Sequence, residues 1–180
     1  LLSPFTVLGG VVFALVFLYH GATYLQLKVG EQTVLDRLHA LAPKLGIAMI
    51  VATVLWVVYA YLTTGLFDKP ICFALCAGAA VCMILSVLCN LKARHGIAFI
   101  FIALAIALTT VTVFAGLFPN IMISTLNPEW SLDIYNASSS QYTLKLMTIV
   151  AICLVPVVLA YQTWSFYVFR KRIKKEDVHY

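Results

Sequence analysis

The chain has 180 residues, of which 63% are hydrophobic and only 11% are charged. A soluble domain carries about 45–50% apolar and about 25% charged residues, so this composition excludes a protein whose whole surface faces water. The formal net charge of +5 comes from cations in a few short segments between apolar runs, a pattern that reports membrane topology rather than nucleic-acid binding.

Five apolar segments are each long enough to cross a bilayer as an α-helix, which needs about 20 residues at a rise of about 1.5 Å per residue. They cover residues 5–27, 45–67, 71–91, 96–118 and 144–169. Each segment is continuously apolar rather than alternating, which favours helices over the strands of a membrane barrel. We therefore predict an all-α integral membrane protein, a transmembrane helix bundle of five spans within residues 1–180, with a basic tail over 170–180.

The connection between the first two spans, residues 29–42, has the pattern of a short amphipathic helix. Leu35, Leu38 and Leu41 recur at helical spacing, and Arg37 and His39 lie between them. Such a helix would lie on the cytoplasmic surface of the membrane. An ordinary connecting helix that packs on protein fits the pattern equally well.

Tight turns are predicted on both sides of the third span. The residues Asp68, Lys69 and Pro70 predict an outer turn, so the second and third helices should form an antiparallel hairpin. Residues 92–95 predict an equally short inner turn.

The segment from residue 119 to residue 143 is the longest polar stretch, and it leads into the fifth span. Ser138 with Gln141 resembles a capping box that opens the fifth helix. Within that helix, Pro156 should free the carbonyl of Ile152 and kink the helix there.

The cations predict the orientation of the spans. If the five helices alternate in direction, ten cations fall on one side: Lys28, Arg37, Lys44, Lys92, Arg94, Arg170, Lys171, Arg172, Lys174 and Lys175. Only Lys69 and Lys145 fall on the other side. The positive-inside rule then places the start of the chain outside and the basic tail in the cytoplasm.

The histidines are the first candidates for haem or metal binding. His20 lies within the first span, His95 opens the fourth, His39 lies in the inner loop and His179 in the tail. A haem with two histidine ligands needs imidazoles at one depth, whereas His20 and His95 differ in depth by about 10 Å along straight helices. We therefore expect a neutral His20 that is hydrogen-bonded to a neighbouring helix.

The other reactive side chains predict no catalytic centre. The cysteines (Cys72, Cys76, Cys82, Cys89 and Cys153) all lie inside apolar runs, which is typical of small packing residues. The spans contain no Asp or Glu, which argues against an ion-coupled pump or a cation-selective channel. The sequence thus predicts no catalytic, cofactor-binding or metal-binding residue in this chain.

Several strings point to one family by their order and spacing. They are Leu1-Leu2-Ser3-Pro4-Phe5, Gly10-Val11-Val12, His20-Gly21-Ala22-Thr23-Tyr24-Leu25-Gln26, Phe118-Pro119, Asn136-Ala137-Ser138-Ser139-Ser140, Thr143-Leu144, Met147-Thr148, Val155-Pro156, and Tyr161, Trp164 and Tyr167. Together they resemble subunit II of the cytochrome bd-type quinol oxidases. The resemblance spans nearly the whole chain, although the second to fourth helices match mainly by hydropathy. Members of this family are about twice as long, so the chain is expected to be the C-terminal half of such a subunit.

The resemblance implies a heterodimer with subunit I in the cytoplasmic (inner) membrane of a prokaryote. Such a complex oxidises quinol and reduces dioxygen to water. Subunit I would carry two b-type haems, one d-type haem and the quinol-oxidising loop, whereas subunit II carries no haem, supports the haem-bearing helices and gives proton or oxygen access. Some members hold a structural quinone in subunit II, and a small third subunit is a further partner to consider. The acidic residues for proton entry would lie in the other half of subunit II.

Two other classes of function also suit a bundle of membrane-spanning helices. A membrane transporter or channel domain without redox cofactors would move substrate in liposomes without a redox partner, but the missing acids and the absence of a paired Gly/Pro-broken helix count against it. A purely structural membrane anchor would predict that substitutions of polar residues in the spans change assembly and never turnover.

Overall fold

The computed structural model describes residues 3–124 and 127–171. The long helices are α1 (Pro4–Lys28), α2 (Gln32–Thr63), α3 (Pro70–Leu91), α4 (His95–Leu117) and α5 (Gln141–Val168). All five are long and apolar enough to cross a membrane. The predicted all-α membrane fold is confirmed.

The chain divides into two compact units, which are described separately. The first contains helices α1 to α4, and the second comprises Leu117–Lys171. In the first unit, we use "inner end" for the end of the bundle formed by the C-termini of α1 and α3 and the N-termini of α2 and α4. The opposite end is the outer end.

All four helices of the first unit contribute to one core. Its buried members are Val12, Val16, Tyr19, Met49, Ala52, Cys82, Met83, Val87, Ile102 and Ala105. Gly46 lets α2 approach closely, because a Cβ atom there would lie 2.7 Å from Cγ2 of Val87 and 3.1 Å from Cε2 of Tyr19. Small residues at such positions are the usual means of close helix packing in membranes.

The expected surface helix is not a separate element. Residues 32–42 form the first part of α2, which runs through Pro43 without a break. Leu38 and Ala42 are buried against Ala22 of α1, so this packing compensates for the one backbone hydrogen bond that a proline removes from a helix. Of the two predicted alternatives, the helix packed on protein is the one observed.

Both predicted turns are present. A 3₁₀ helix, Gly65–Asp68, leads into α3, which begins at Pro70, a position where proline is favoured because its missing N–H is not needed there. At the inner end, Ala93 makes the turn into α4 with φ of 56°. Lys69 has a structural role at the outer turn: its Nζ atom donates to the carbonyls of Ala115 (3.1 Å) and Gly116 (3.2 Å). It therefore caps the C-terminus of α4, where a cation also interacts favourably with the helix dipole.

The second unit contains a short hairpin that the sequence did not predict. Strand β1 (Asn120–Met122) pairs in antiparallel fashion with β2 (Leu132–Asp133). The carboxylate of Asp133 accepts hydrogen bonds from the backbone N–H groups of Tyr135 (2.8 Å) and Asn136 (2.6 Å). This local turn organises the polar connection that precedes α5.

The predicted capping box at Ser138 and Gln141 is wrong. Ser140 is the N-cap of α5, and its hydroxyl accepts from the backbone N–H of Thr143. Gln141 cannot occupy the third helical position of a capping box because it is the first residue of the helix. Pro156 lies inside α5, and the kink expected there stays a prediction.

Candidate functional site

A buried amide pair lies at the inner end of the four-helix unit. The Nδ2 atom of Asn90 donates to Oε1 of Gln26 at 2.7 Å, and Nε2 of Gln26 donates to the carbonyl of Leu38 at 3.3 Å. Both side chains are buried. The pair therefore links α1, α2 and α3 through polar groups that would be costly to leave unsatisfied in an apolar interior.

A second buried contact lies closer to the middle of the bundle. Ser86 donates from Oγ to the carbonyl of Ala98 at 2.7 Å, and its Oγ lies 3.2 Å from the hydroxyl of Tyr19. A serine hydroxyl has one proton to donate, so Tyr19 is the donor in the second bond. These contacts connect α1, α3 and α4.

The chemistry of these two clusters is that of neutral amides and hydroxyls. Proton relays inside membranes usually depend on Asp, Glu or His chains, and the polar contacts just described contain none of these. The clusters hold the helices in register, as interhelical hydrogen bonds commonly do in membrane bundles.

The outer half of the same unit contains an apolar cavity of about 230 Å³. All four helices of the unit contribute to its walls, which include Gly9, Val16, Thr53, Trp56, Ala79 and Thr109. Gly9 makes room for the indole, because a Cβ atom at this position would lie 3.0 Å from Nε1 of Trp56. The predominantly apolar lining suits a small apolar guest, since spaces lined by apolar side chains take up such molecules.

Two polar atoms in the cavity wall have no hydrogen-bond partner. They are Oγ1 of Thr53 and Nε1 of Trp56, and both are buried. The Trp56 ring also stacks on Phe5 with its ring centroid 5.3 Å away. The wall is thus mostly apolar, and α2 contributes two polar atoms that lack hydrogen-bond partners.

His20 does not make the expected hydrogen bond through Nδ1. That atom is buried without a hydrogen-bond partner, and the imidazole stacks on Phe99 of α4 with 4.7 Å between ring centroids. The hydrogen bond is missing because the neighbouring helix presents a hydrocarbon ring at this depth. Tyr24 also contacts Phe99, at 5.8 Å.

Two other histidines come together instead. The rings of His39 and His95 lie 4.8 Å apart between centroids, at the inner end of the bundle. This contact could not be foreseen from spacing in the sequence, because it depends on how α2 and α4 sit in the bundle. His179 lies outside the described residues.

The five cysteines are free, and Cys72 and Cys82 are buried. This burial agrees with the packing role predicted for them. Cys153, on α5, is exposed.

Comparison with known proteins gives a consistent result. The sequence profile described as "Cytochrome bd terminal oxidase subunit II" matches residues 1–169. The chain is 32% identical over 179 residues to cytochrome bd ubiquinol oxidase subunit 2 of Bacillus subtilis, covering 98% of this chain and 52% of that protein. It is 31% identical over 208 residues to cytochrome bd-I ubiquinol oxidase subunit 2 of Escherichia coli K12, covering 99% and 55%.

A third relative is the probable cytochrome oxidase subunit 2 of Haemophilus influenzae, which is 31% identical over 196 residues, with coverage of 92% and 52%. The chain thus spans about half the length of the curated relatives it matches.

Proposed function

Because the chain belongs to the family of cytochrome bd terminal oxidase subunit II, we propose that it serves as the non-haem subunit II of a quinol:dioxygen oxidoreductase in a respiratory chain. The match over residues 1–169 carries this proposal, and the resemblance drawn from the sequence strings is confirmed by it. The proposed complex takes electrons from quinol and reduces dioxygen to water.

The redox cofactors are assigned to the partner, subunit I, with two b-type haems and one d-type haem. Two observations on the described residues support this assignment. His20 faces the ring of Phe99 rather than a second imidazole, and no histidine lines the cavity of about 230 Å³. No step of the reaction is therefore placed on this chain's side chains.

Oxygen access is the auxiliary role that the bundle supports best. The cavity has apolar walls, and dioxygen is a small apolar molecule that partitions into such spaces. Proton access receives no comparable support from the described residues, because the buried polar clusters consist of amides and hydroxyls. We further propose that the complete subunit II binds a structural quinone.

The proposed partner is subunit I, in a heterodimer that lies in the inner membrane of a prokaryote and is surrounded by lipid. A small third subunit is a further proposed partner. No role in nucleic-acid binding is proposed. The cations support an orientation with the inner end towards the cytoplasm. Lys28, Lys44 and Arg94 lie at the inner end, and Arg170 and Lys171 follow α5. The C-terminus would then be cytoplasmic.

The proposal is tested by purifying the complex with its full-length subunit II and recording its visible absorption spectrum and its protein chains. We expect haem absorption in preparations that contain subunit I, and none in preparations of subunit II alone. Stoichiometric haem on subunit II alone, or substrate flux through it in liposomes without a redox partner, would contradict the assignment.

A further inference from the structure

A second, smaller cavity lies next to the large one in the four-helix unit. Its volume is about 20 Å³, which exceeds the roughly 10–15 Å³ that a single water molecule requires. Its walls include Phe67, in the 3₁₀ helix of the outer turn, and Thr112 of α4, and neither of these described residues borders the large cavity. The small cavity therefore lies on the outer side of the large one, and it has room for one small molecule.

The side chains that line both cavities lie between them. They are Trp56, Cys76, Thr109 and Val113. Thr109 and Val113 are β-branched and therefore stiff at χ1, and the Thr109 hydroxyl also donates to the carbonyl of Ala105 at 2.8 Å. Cys76 is compact. Trp56 is the largest of the four, so its indole is the main obstacle between the two cavities.

The surroundings of the Trp56 indole leave it without a polar restraint among the described residues. Its Nε1 atom is buried and has no hydrogen-bond partner. The ring stacks on Phe5 at 5.3 Å between centroids, a contact that holds an aromatic ring without a directional bond. Gly9 gives the ring further space, because a Cβ atom there would lie 3.0 Å from Nε1. The large cavity of about 230 Å³ provides room into which the ring can move.

We propose that the indole of Trp56 is a movable partition that controls the passage of dioxygen between the small outer cavity and the large one. The ring blocks the route in the observed position and opens it by turning away from that position. Gly9 and the large cavity supply the space for this movement. The choice of dioxygen as the molecule that passes rests on the proposed oxidase function. Trp56 acts on the supply of this substrate and touches no reacting atom.

The test measures how fast dioxygen combines with the fully reduced complex, purified with full-length subunit II, in a flow-flash experiment. Trp56→Ala removes the partition and should raise the rate constant about 2- to 10-fold, the factor that corresponds to moving a side chain out of its preferred rotamer. Trp56→Phe should give a smaller rise in the same direction, and it keeps an aromatic ring beside Phe5 if the alanine variant fails to assemble. The haem spectrum and the KM for quinol should stay constant, which a general loss of structure would not allow.

Two neighbouring glycines provide matched variants. Gly9→Ala places a methyl group against the indole and should slow the combination with dioxygen about 2- to 10-fold. Gly10→Ala adds the same methyl group in open space and should leave the rate unchanged. In the double variant with Trp56→Ala, the effect of Gly9→Ala should disappear, because two substitutions that act through one side chain are not additive.

The outcomes separate this inference from the proposed function. If the complex reduces dioxygen and neither Trp56→Ala nor Trp56→Phe accelerates its combination with dioxygen, the movable partition is wrong and the oxidase function stands. A Gly9→Ala effect that persists in the double variant would show that the methyl group acts by filling the cavity, and would also overturn the inference. A complex that reduces no dioxygen would overturn the proposed function and this inference together.

Discussion

The buried hydroxyl of Ser86 shows how much one side chain contributes to this bundle. It donates to the carbonyl of Ala98 on the next helix and accepts from Tyr19, so a single oxygen atom connects three helices. Because Tyr19 and Ser86 are both fully buried, no water is available to replace either bond.

We predict that Ser86→Ala destabilises the complex more than Tyr19→Phe does. Ser86→Ala leaves the tyrosine hydroxyl buried without a partner, which costs about 1–3 kcal/mol. Tyr19→Phe removes one bond but leaves Ser86 donating to Ala98, at a cost of about 0.5–1.5 kcal/mol. Thermal unfolding of the purified complex measures the difference.

Thr148→Val is the matched control for these hydroxyl substitutions. The Thr148 hydroxyl is exposed and donates within its own helix to Leu144, so its removal should change the midpoint little. If Tyr19→Phe proved as damaging as Ser86→Ala, tyrosine would not be the donor in their shared bond.

At the scale of the elements, the five long helices could be predicted because each is an apolar run long enough to span a bilayer. The tight turns were also predictable, since Pro70 marks a helix start and residues 92–95 are polar and short. The continuity of α2 could not be predicted, because a proline usually ends a helix. The packing of Leu38 and Ala42 on α1 explains why Pro43 does not end this one.

The candidate sites could be predicted from the sequence less well than the helices. The contact between His39 and His95 depends on the placement of two helices that are not consecutive, and the cavity depends on four helices at once. Neither leaves a periodic signal in the sequence. The signal for the interhelical role of Asn90 was its polar side chain within an apolar run, a feature that commonly indicates a bond between helices.

The inner turn gives a prediction at this scale. Ala93 has φ of 56°, in the left-handed region that costs a residue with a Cβ atom about 1–2 kcal/mol. Ala93→Gly should therefore raise the unfolding midpoint of the complex, after allowance for the greater freedom of glycine in the unfolded chain. Ala93→Val should lower the midpoint, because a β-branched residue tolerates this conformation poorly. A higher midpoint for the valine variant than for the glycine variant would contradict this account of the turn.

At the scale of the whole molecule, the four-helix unit is polar in its inner half and holds an apolar cavity in its outer half. In the inner half, buried neutral side chains form hydrogen bonds to other helices. The outer half contains the cavity, and Lys69 bonds to α4 only at its outermost end. If the complex is the proposed oxidase, this division separates a hydrogen-bonded support from a region that admits a small apolar substrate.

We predict that filling the cavity weakens the use of dioxygen by the complex without impairing quinol binding. Ala79 is buried in the cavity wall, and Ala79→Leu would occupy part of the space. The KM for dioxygen should rise while the KM for quinol stays constant, as measured by oxygen-electrode assays of the purified complex. Gly96→Ala, at a position with open space around it, is the control. An unchanged KM for dioxygen in a correctly assembled Ala79→Leu complex would remove the cavity from the oxygen route.

The uninterrupted α2 has a geometric consequence. Its 32 residues extend over about 48 Å, while the hydrocarbon layer of a bilayer is about 30 Å thick. Unless it tilts steeply, the helix must overhang the bilayer, and its inner tip carries His39 while its outer part carries Trp56. One continuous helix therefore joins the part of α2 that lies beyond the hydrocarbon layer to the indole that borders the cavity.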